Sequence, residues 1–195
     1  MRHIWNLLGA PLRLIFLPDD CSTRLGLTSL EEERISAVLP YVQGRLLDIG
    51  AGRNKLVKRY GNGVGVDVYD WGGGALIVED SSQLPFPDGE FDTVTFLASL
   101  NHIPNRVDVL REGYRVLSPK GRLIVTMINP ILGGIGHFIW WYSEDKERGM
   151  KKDEIVGMWT KDIARLCRSA GFEVVEHKRF LYQLNNFYLG IKSSA

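Results

Sequence analysis

Arg45-Leu-Leu-Asp-Ile-Gly-Ala-Gly52 is an apolar run that ends in an acid and passes at once into Gly-x-Gly. Such a segment reads as a buried parallel strand followed by a turn where a ligand can press against bare backbone. Glycine-rich turns after strands are common in α/β proteins, so the stretch gains its meaning from what lies downstream. Asp67 sits in the next apolar segment, Asp80 follows a third, and Phe91 to Met127 reads as strand, helix, strand. Acids recurring just beyond successive strands point to a cofactor held at the carboxyl ends of a mostly parallel sheet.

Working outward, the pattern alternates between the two kinds of element. Arg45–Ile49 is read as the first strand, and Asn54–Tyr60 as a short helix stopped by Gly61. Val64–Val68 and Ala75–Val78 follow as strands. Pro85, Pro87 and Asp88-Gly89 punctuate a loop before a fourth strand, Phe91–Ala98. A helix is expected over Asn105–Leu117, with Val107, Leu110, Tyr114 and Leu117 on its apolar face. Ser118-Pro-Lys-Gly121 reads as a tight turn into a fifth strand, Arg122–Ile128. Thr160 is expected to cap a further helix that buries Ile163, Leu166, Cys167 and Ala170 and stops at Gly171. Glu173–Phe180 and Phe187–Ile191 are joined by a connection too short for a helical crossover, so they are expected to pair antiparallel.

Before the glycine turn, Ser29-Leu-Glu-Glu32 offers a capping box for a helix that runs to about Leu39 and is ended by Pro40. His3 to Leu17 is apolar but broken by Pro11 and Arg13, too short and interrupted to cross a membrane. It reads as a helix packed on the core, with contact at a membrane surface as the second reading. The expected organisation is one domain over 1–195: a helical cap (1–40), a cofactor-binding core (45–128), a lid or acceptor insertion (129–158) and a final helix with strand pair (159–195).

Composition narrows the classes. A chain of 195 residues can bury a full-sized core, and 24 Lys plus Arg against 23 Asp plus Glu leave a formal charge of +1. No general basic field of the kind that would favour nucleic acid is present. Cys21 and Cys167 form no metal-like pair, no cluster of His, Cys and carboxylates suggests a metal, and a reducing cytoplasm is the expected compartment. The sequence carries no signature of oligomeric state.

Five motifs now stand in order: Leu46-Leu-Asp-Ile-Gly-Ala-Gly52; Gly65-Val-Asp-Val68; Glu79-Asp80 with Leu84-Pro-Phe-Pro-Asp-Gly-Glu-Phe-Asp92; Leu100-Asn-His-Ile103; and Arg115-Val-Leu-Ser-Pro-Lys-Gly-Arg-Leu123. In this register the chain resembles the class I S-adenosylmethionine-dependent methyltransferases, of the small type related to quinone-biosynthesis methyltransferases. The resemblance spans about Arg45 to Met127, and the final strand pair fits the antiparallel hairpin of that Rossmann-like, seven-stranded, doubly wound α/β fold.

The resemblance implies a role for each motif residue. Gly50, Ala51 and Gly52 would let the methionine end of S-adenosylmethionine approach the backbone, and Asp48 would face its α-ammonium. Asp67 would accept from both ribose hydroxyls, since a carboxylate has acceptor sites for two donors. Val68 would pack on the adenine, Asp80 would accept from its amino group, and the Ser81 N–H would meet a ring nitrogen. Leu97 would line the methionine part through its carbonyl. Two departures stand out: Arg53-Asn54 occupy the place of a frequent third glycine, and Pro119-Lys-Gly121 replaces a Pro-Gly-Gly turn.

His102, just past the fourth strand, is the candidate catalytic residue as a general base; as a structural residue it would instead hold its loop by hydrogen bonding. In-line displacement of an already electrophilic methyl gains most from orientation and water exclusion, so a base is needed only for some acceptors. The acceptor, expected to be a small, flat or apolar molecule, is assigned to Asn129–Met158. There Trp140, Trp141 and Tyr142, with His137 nearby, read either as a pocket wall or as a lid helix packed on the core. Two other classes compete: an NAD-dependent oxidoreductase, disfavoured by the missing third glycine of Gly-x-Gly-x-x-Gly, and a non-catalytic binding protein that retained the cofactor acids.

Overall fold

Leu46–Ile49 forms β1, buried along its whole length, and both neighbours run parallel to it: β2 (Gly63–Asp67) and β4 (Phe91–Leu97). The computed structural model describes residues 24, 27–128, 130, 131, 134, 154–181 and 183–193. Seven strands make one sheet in the order β3-β2-β1-β4-β5-β7-β6, with β3 at Leu76–Ile77, β5 at Leu117–Ile128, β6 at Phe172–Phe180 and β7 at Asn185–Lys192. β7 is antiparallel to both β5 and β6, as the short connection between the last two strands requires.

Helices cover both faces because β1 is apolar on both. Leu47 and Ile49 join a core with α3 (Arg106–Val116) and α4 (Thr160–Ser169), built around Phe96, Leu110, Ile163 and Tyr188. Leu46 points the opposite way, into a second core with Ile35 and Val38 of α1 (Leu30–Val38) and Leu56 of α2 (Lys55–Tyr60). Alternating side chains of one buried strand serve two helix layers, the doubly wound arrangement.

The capping box at α1 forms: Ser29 Oγ accepts from the Glu32 N–H at 3.1 Å, and Pro40 falls in a 3₁₀ turn, Leu39–Tyr41. Gly61, with φ of 85°, ends α2. Four details differ from the sequence expectation. α3 buries Val109, Leu110, Gly113 and Val116, a stripe rotated from the expected one, and Val107 is only half-buried. Gly113 turns toward Val94 and Phe96, so its lack of a side chain lets the helix approach the sheet. β5 begins at Leu117 rather than Arg122, because Ser118–Gly121 is an irregularity within the strand, where its register with β4 shifts and Lys120 takes φ of 64°. β3 is only two residues long, and Trp159, with no side-chain cap bond, occupies the N-cap position assigned to Thr160.

The segment 1–23 and residues His137, Trp140, Trp141 and Tyr142 lie outside the described residues. Among the described residues no helix is long and apolar enough to cross a membrane.

Candidate active site

The carboxyl ends of β1, β2 and β4 converge on the glycine turn. The N–H groups of Gly50 and Ala51 both donate to the Val66 carbonyl, at 2.9 and 3.0 Å, which ties the turn to β2. The two glycines serve different ends. Gly50 has φ of 72°, and a Cβ there would lie 2.4 Å from Ser99 Cβ; the Ser99 hydroxyl itself donates to the Ile49 carbonyl at 2.6 Å. Its bareness is used by the protein's own packing. Gly52 has φ of 52° and nothing within 4 Å of where a Cβ would stand, so its face is open to a ligand.

Asp67, at the end of β2, is 8% exposed. Its Oδ2 accepts from the Gly52 N–H at 2.8 Å and its Oδ1 from the Tyr69 N–H at 3.0 Å. Each oxygen keeps an acceptor position, so the carboxylate is oriented by the backbone and can still take two donors. Val68 beside it is 43% exposed, and the rings of Tyr69 and Trp71 lie 4.6 Å apart just beyond. Exposed apolar surface next to an oriented carboxylate suits a ligand with a hydroxylated part and a flat part.

Asp48 is 1% exposed and faces the α1–α2 layer. Thr95, its register partner on β4, donates its hydroxyl to Asp48 Oδ1 at 2.6 Å. Burial pushes the Asp48 carboxyl up to about 7; the Thr95 bond opposes the rise, and Asp67 and Glu31 of α1 add to it. Lys55 forms an ion pair with Glu31. The face therefore carries three carboxyl groups and one paired lysine, a setting that a bound cation would relieve.

Asp80 is half-buried and works within its own loop. Its Oδ1 accepts from the Ser82 N–H at 2.8 Å and from Asn105 Nδ2 at 3.3 Å, and its Oδ2 from the Ser82 hydroxyl at 2.7 Å. Bonds from the Ser82 N–H and hydroxyl, then from Asn105, hold this carboxyl below its ordinary range despite some desolvation. Oδ2 retains room for one more donor, and Ser81 alongside is buried. Leu97 ends β4, and Ala98 follows with φ of 56°, unusual for a residue with a side chain; its N–H donates to the carbonyls of Phe96 and Thr126 at 3.1 Å.

His102 closes a 3₁₀ turn, Leu100–His102, directly after β4. Its Nδ1 lies 3.4 Å from Glu154 Oε2. Sequence reasoning missed this partner, as it missed Thr95, Ser99 and Asn105. Thr95 had a faint signal, a polar residue between apolar neighbours in the second half of its strand, Val94–Leu97. Glu154 had none, lying 52 positions away in a charged stretch. Cys167 is buried, and desolvation pushes its thiol up to about 12, so it is a packing residue.

Residues present fit S-adenosylmethionine: an open glycine face, an oriented carboxylate for vicinal hydroxyls, apolar surface beside it, and a buried acid in want of a cation. Comparison with known proteins agrees. A model of the methyltransferase domain matches residues 46–125. The chain is 33% identical over 143 residues to a 27-O-demethylrifamycin SV methyltransferase of Amycolatopsis mediterranei, covering 60% of this chain and 51% of that protein. It is 26% identical over 132 residues to a demethylmenaquinone methyltransferase of a Geobacillus species, covering 60% and 56%. The chain thus spans about half the length of the curated relatives it matches. A SAM-dependent methyltransferase from Thermotoga maritima, described as a possible histamine N-methyltransferase, superposes with a TM-score of 0.65 at 21% identity, covering 99% of this chain and all of that one.

Proposed function

We propose that the chain is a class I S-adenosylmethionine-dependent methyltransferase, which transfers a methyl group from S-adenosylmethionine to a small, flat or apolar acceptor. The cofactor supplies a methyl carbon made electrophilic by the sulfonium. The residues bind and orient it. Asp67 accepts from the ribose hydroxyls, Asp48 faces the α-ammonium, and Gly50-Ala51-Gly52 with the Leu97 carbonyl hold the methionine part. Val68 packs on the adenine, while Asp80 and the Ser81 N–H read its edge. His102 takes the acceptor's proton where one must leave. His137, Trp140, Trp141 and Tyr142 supply the acceptor's apolar wall in this reading, which rests on their composition alone.

The observation that carries the proposal is the pair Asp48 and Asp67, both buried at adjacent strands around a glycine turn with one open face. Isothermal titration with S-adenosylmethionine and, separately, NADH tests it. Binding of the first alone is the expected result; binding of NADH alone, or of neither, defeats the proposal. Asp67→Ala is expected to weaken S-adenosylmethionine by about 1.5–3 kcal/mol, the scale for losing hydrogen bonds to a charged group. Unchanged affinity would remove Asp67 from the site. Incubation with methyl-labelled S-adenosylmethionine and a panel of flat phenols then reads transfer directly.

A further inference from the structure

We propose that Glu154 is a positioning residue: its buried carboxylate fixes His102 with the hydrogen on Nδ1 and leaves Nε2 as the base that receives the acceptor's proton. The inference rests on the methyl-transfer reading above and adds a residue and an acceptor class to it.

The pair is built by the backbone. The His102 N–H donates to the Ser99 carbonyl at 3.0 Å, and the Arg106 guanidinium of α3 grips the same turn, Nε to the Leu100 carbonyl at 3.2 Å and Nη2 to that of Asn101 at 3.0 Å. The segment carrying Glu154 is pinned to this turn as well, because the Ile155 N–H donates to the Asn101 carbonyl at 3.0 Å. Glu154 and His102 are thus brought within 3.4 Å by main-chain bonds on either side, at the end of the strand whose carboxyl terminus borders the glycine turn.

Burial gives the pair its direction. The Glu154 side chain is 0% exposed, whereas that of His102 is 26% exposed. An ionised carboxylate only accepts hydrogen bonds, so a neutral imidazole facing it through Nδ1 must carry its hydrogen there. Nε2 is then the basic nitrogen, and the carboxylate behind the ring favours the imidazolium once a proton arrives. Two charged groups of the described residues meet this turn: the Arg106 guanidinium donates to its carbonyls, and the Glu154 carboxylate faces the ring.

Such an arrangement suits an acceptor whose nucleophilic atom carries a proton at neutral pH, a hydroxyl or an amine. A lone pair on the acceptor atom X forms the bond to the methyl carbon, the carbon–sulfur bond breaks with its pair on sulfur, and the pair of the X–H bond returns to X as the proton leaves. The proton goes to His102 Nε2. An acceptor that is already an anion, such as a carboxylate, gains nothing from it.

The experiment is ¹⁵N NMR of the histidine rings over pH 4.5–9, in wild type and Glu154→Gln, with His102→Gln to assign the signal. Each is recorded free, with S-adenosylhomocysteine and with S-adenosylmethionine, and calorimetry on the same samples verifies binding. The expected wild-type His102 is the Nδ1–H form, and Glu154→Gln lowers its pKa by about one unit, the scale for losing an adjacent opposite charge. S-adenosylmethionine should lower the His102 pKa relative to S-adenosylhomocysteine, because the two differ by the sulfonium charge that the ring would face. An Nε2–H form in wild type, or no change in Glu154→Gln, overturns the proposal. Identical titrations with the two ligands make the pair structural and overturn it too. Wild type that binds neither ligand overturns the methyl-transfer reading, and the proton-accepting role falls with it.

Discussion

Asp48 and Asp67 sit on neighbouring strands yet live under different electrostatics. Asp67 has two backbone N–H donors and a place at the surface of the turn; Asp48 has one hydroxyl, full burial and two other acids nearby. With its carboxyl at about 7 in the fold against an ordinary value of 3.8, Asp48 binds a proton in the native state over a range where the unfolded chain has lost it. Its contribution is therefore neutral below about pH 4 and becomes progressively destabilising up to about pH 7, where the cost is complete. Asp48→Asn keeps an oxygen to accept from Thr95 and cannot ionise. It is expected to make the ligand-free protein more stable at pH 8 by roughly 1–4 kcal/mol, with little change at pH 4, in urea titrations at both values. The same variant should lose affinity for S-adenosylmethionine, since the α-ammonium loses its anion. A further expectation is proton release on binding near pH 6.5, read by calorimetry in buffers of differing ionisation enthalpy. At this scale the acids were legible, because each follows an apolar run at a set place. Thr95 as the partner of Asp48 and Glu154 as the partner of His102 were not, because register and through-space pairing are properties of the folded sheet.

Elements show how two of the motifs brace one another away from the site. Arg115 of α3 donates from Nε and Nη2 to the two oxygens of Glu112 at 2.9 and 2.6 Å, from Nη1 to Asp88 at 2.6 Å, and from Nη2 to the Leu84 carbonyl at 3.3 Å. Glu112 Oε1 accepts the Leu84 N–H at 2.7 Å, and the Gly89 N–H donates to the Arg115 carbonyl at 3.1 Å. The Leu84–Asp92 loop and the Arg115–Leu123 segment thus hold one another. Asp92 completes the staple by accepting from the Arg45 N–H at 2.8 Å and the Ser118 hydroxyl at 3.1 Å. Arg115→Ala leaves Glu112 half-enclosed without its cation and is expected to cost about 1–3 kcal/mol of stability, measured in urea. Strand and helix identities here were legible from periodicity and turn residues. The buried face of α3 was not, because Gly113 packs inward where a side-chain pattern has nothing to show. The start of β5 was missed for a related reason: Pro119-Lys120-Gly121 reads as a turn, and the sheet absorbs it as an irregularity.

Across the whole molecule, the sheet sets a gradient of protection. β1, β4 and β5 are paired on both sides and covered by helices on both faces, whereas β3 offers two exposed residues at the edge, Leu76 and Ile77. Amide hydrogen exchange is expected to be slowest in β1, β4 and β5 and fastest in β3, with the Asp67–Ile77 side slowing further when S-adenosylmethionine binds. Equal exchange in β3 and β1 would contradict the layered packing. The parallel half of this architecture was legible from alternating strands and helices. The placement of β7 was only half so: a short connection predicts the antiparallel pair, but not which member joins β5. β7 does, lying between β5 and β6. A ribosome makes β6 first, so for a time the nascent chain holds a finished strand whose only sheet neighbour has not been synthesised. β5 meanwhile presents an unclosed flank. The last hairpin must therefore form as a unit and dock through its later strand, so closure of the sheet waits for β7.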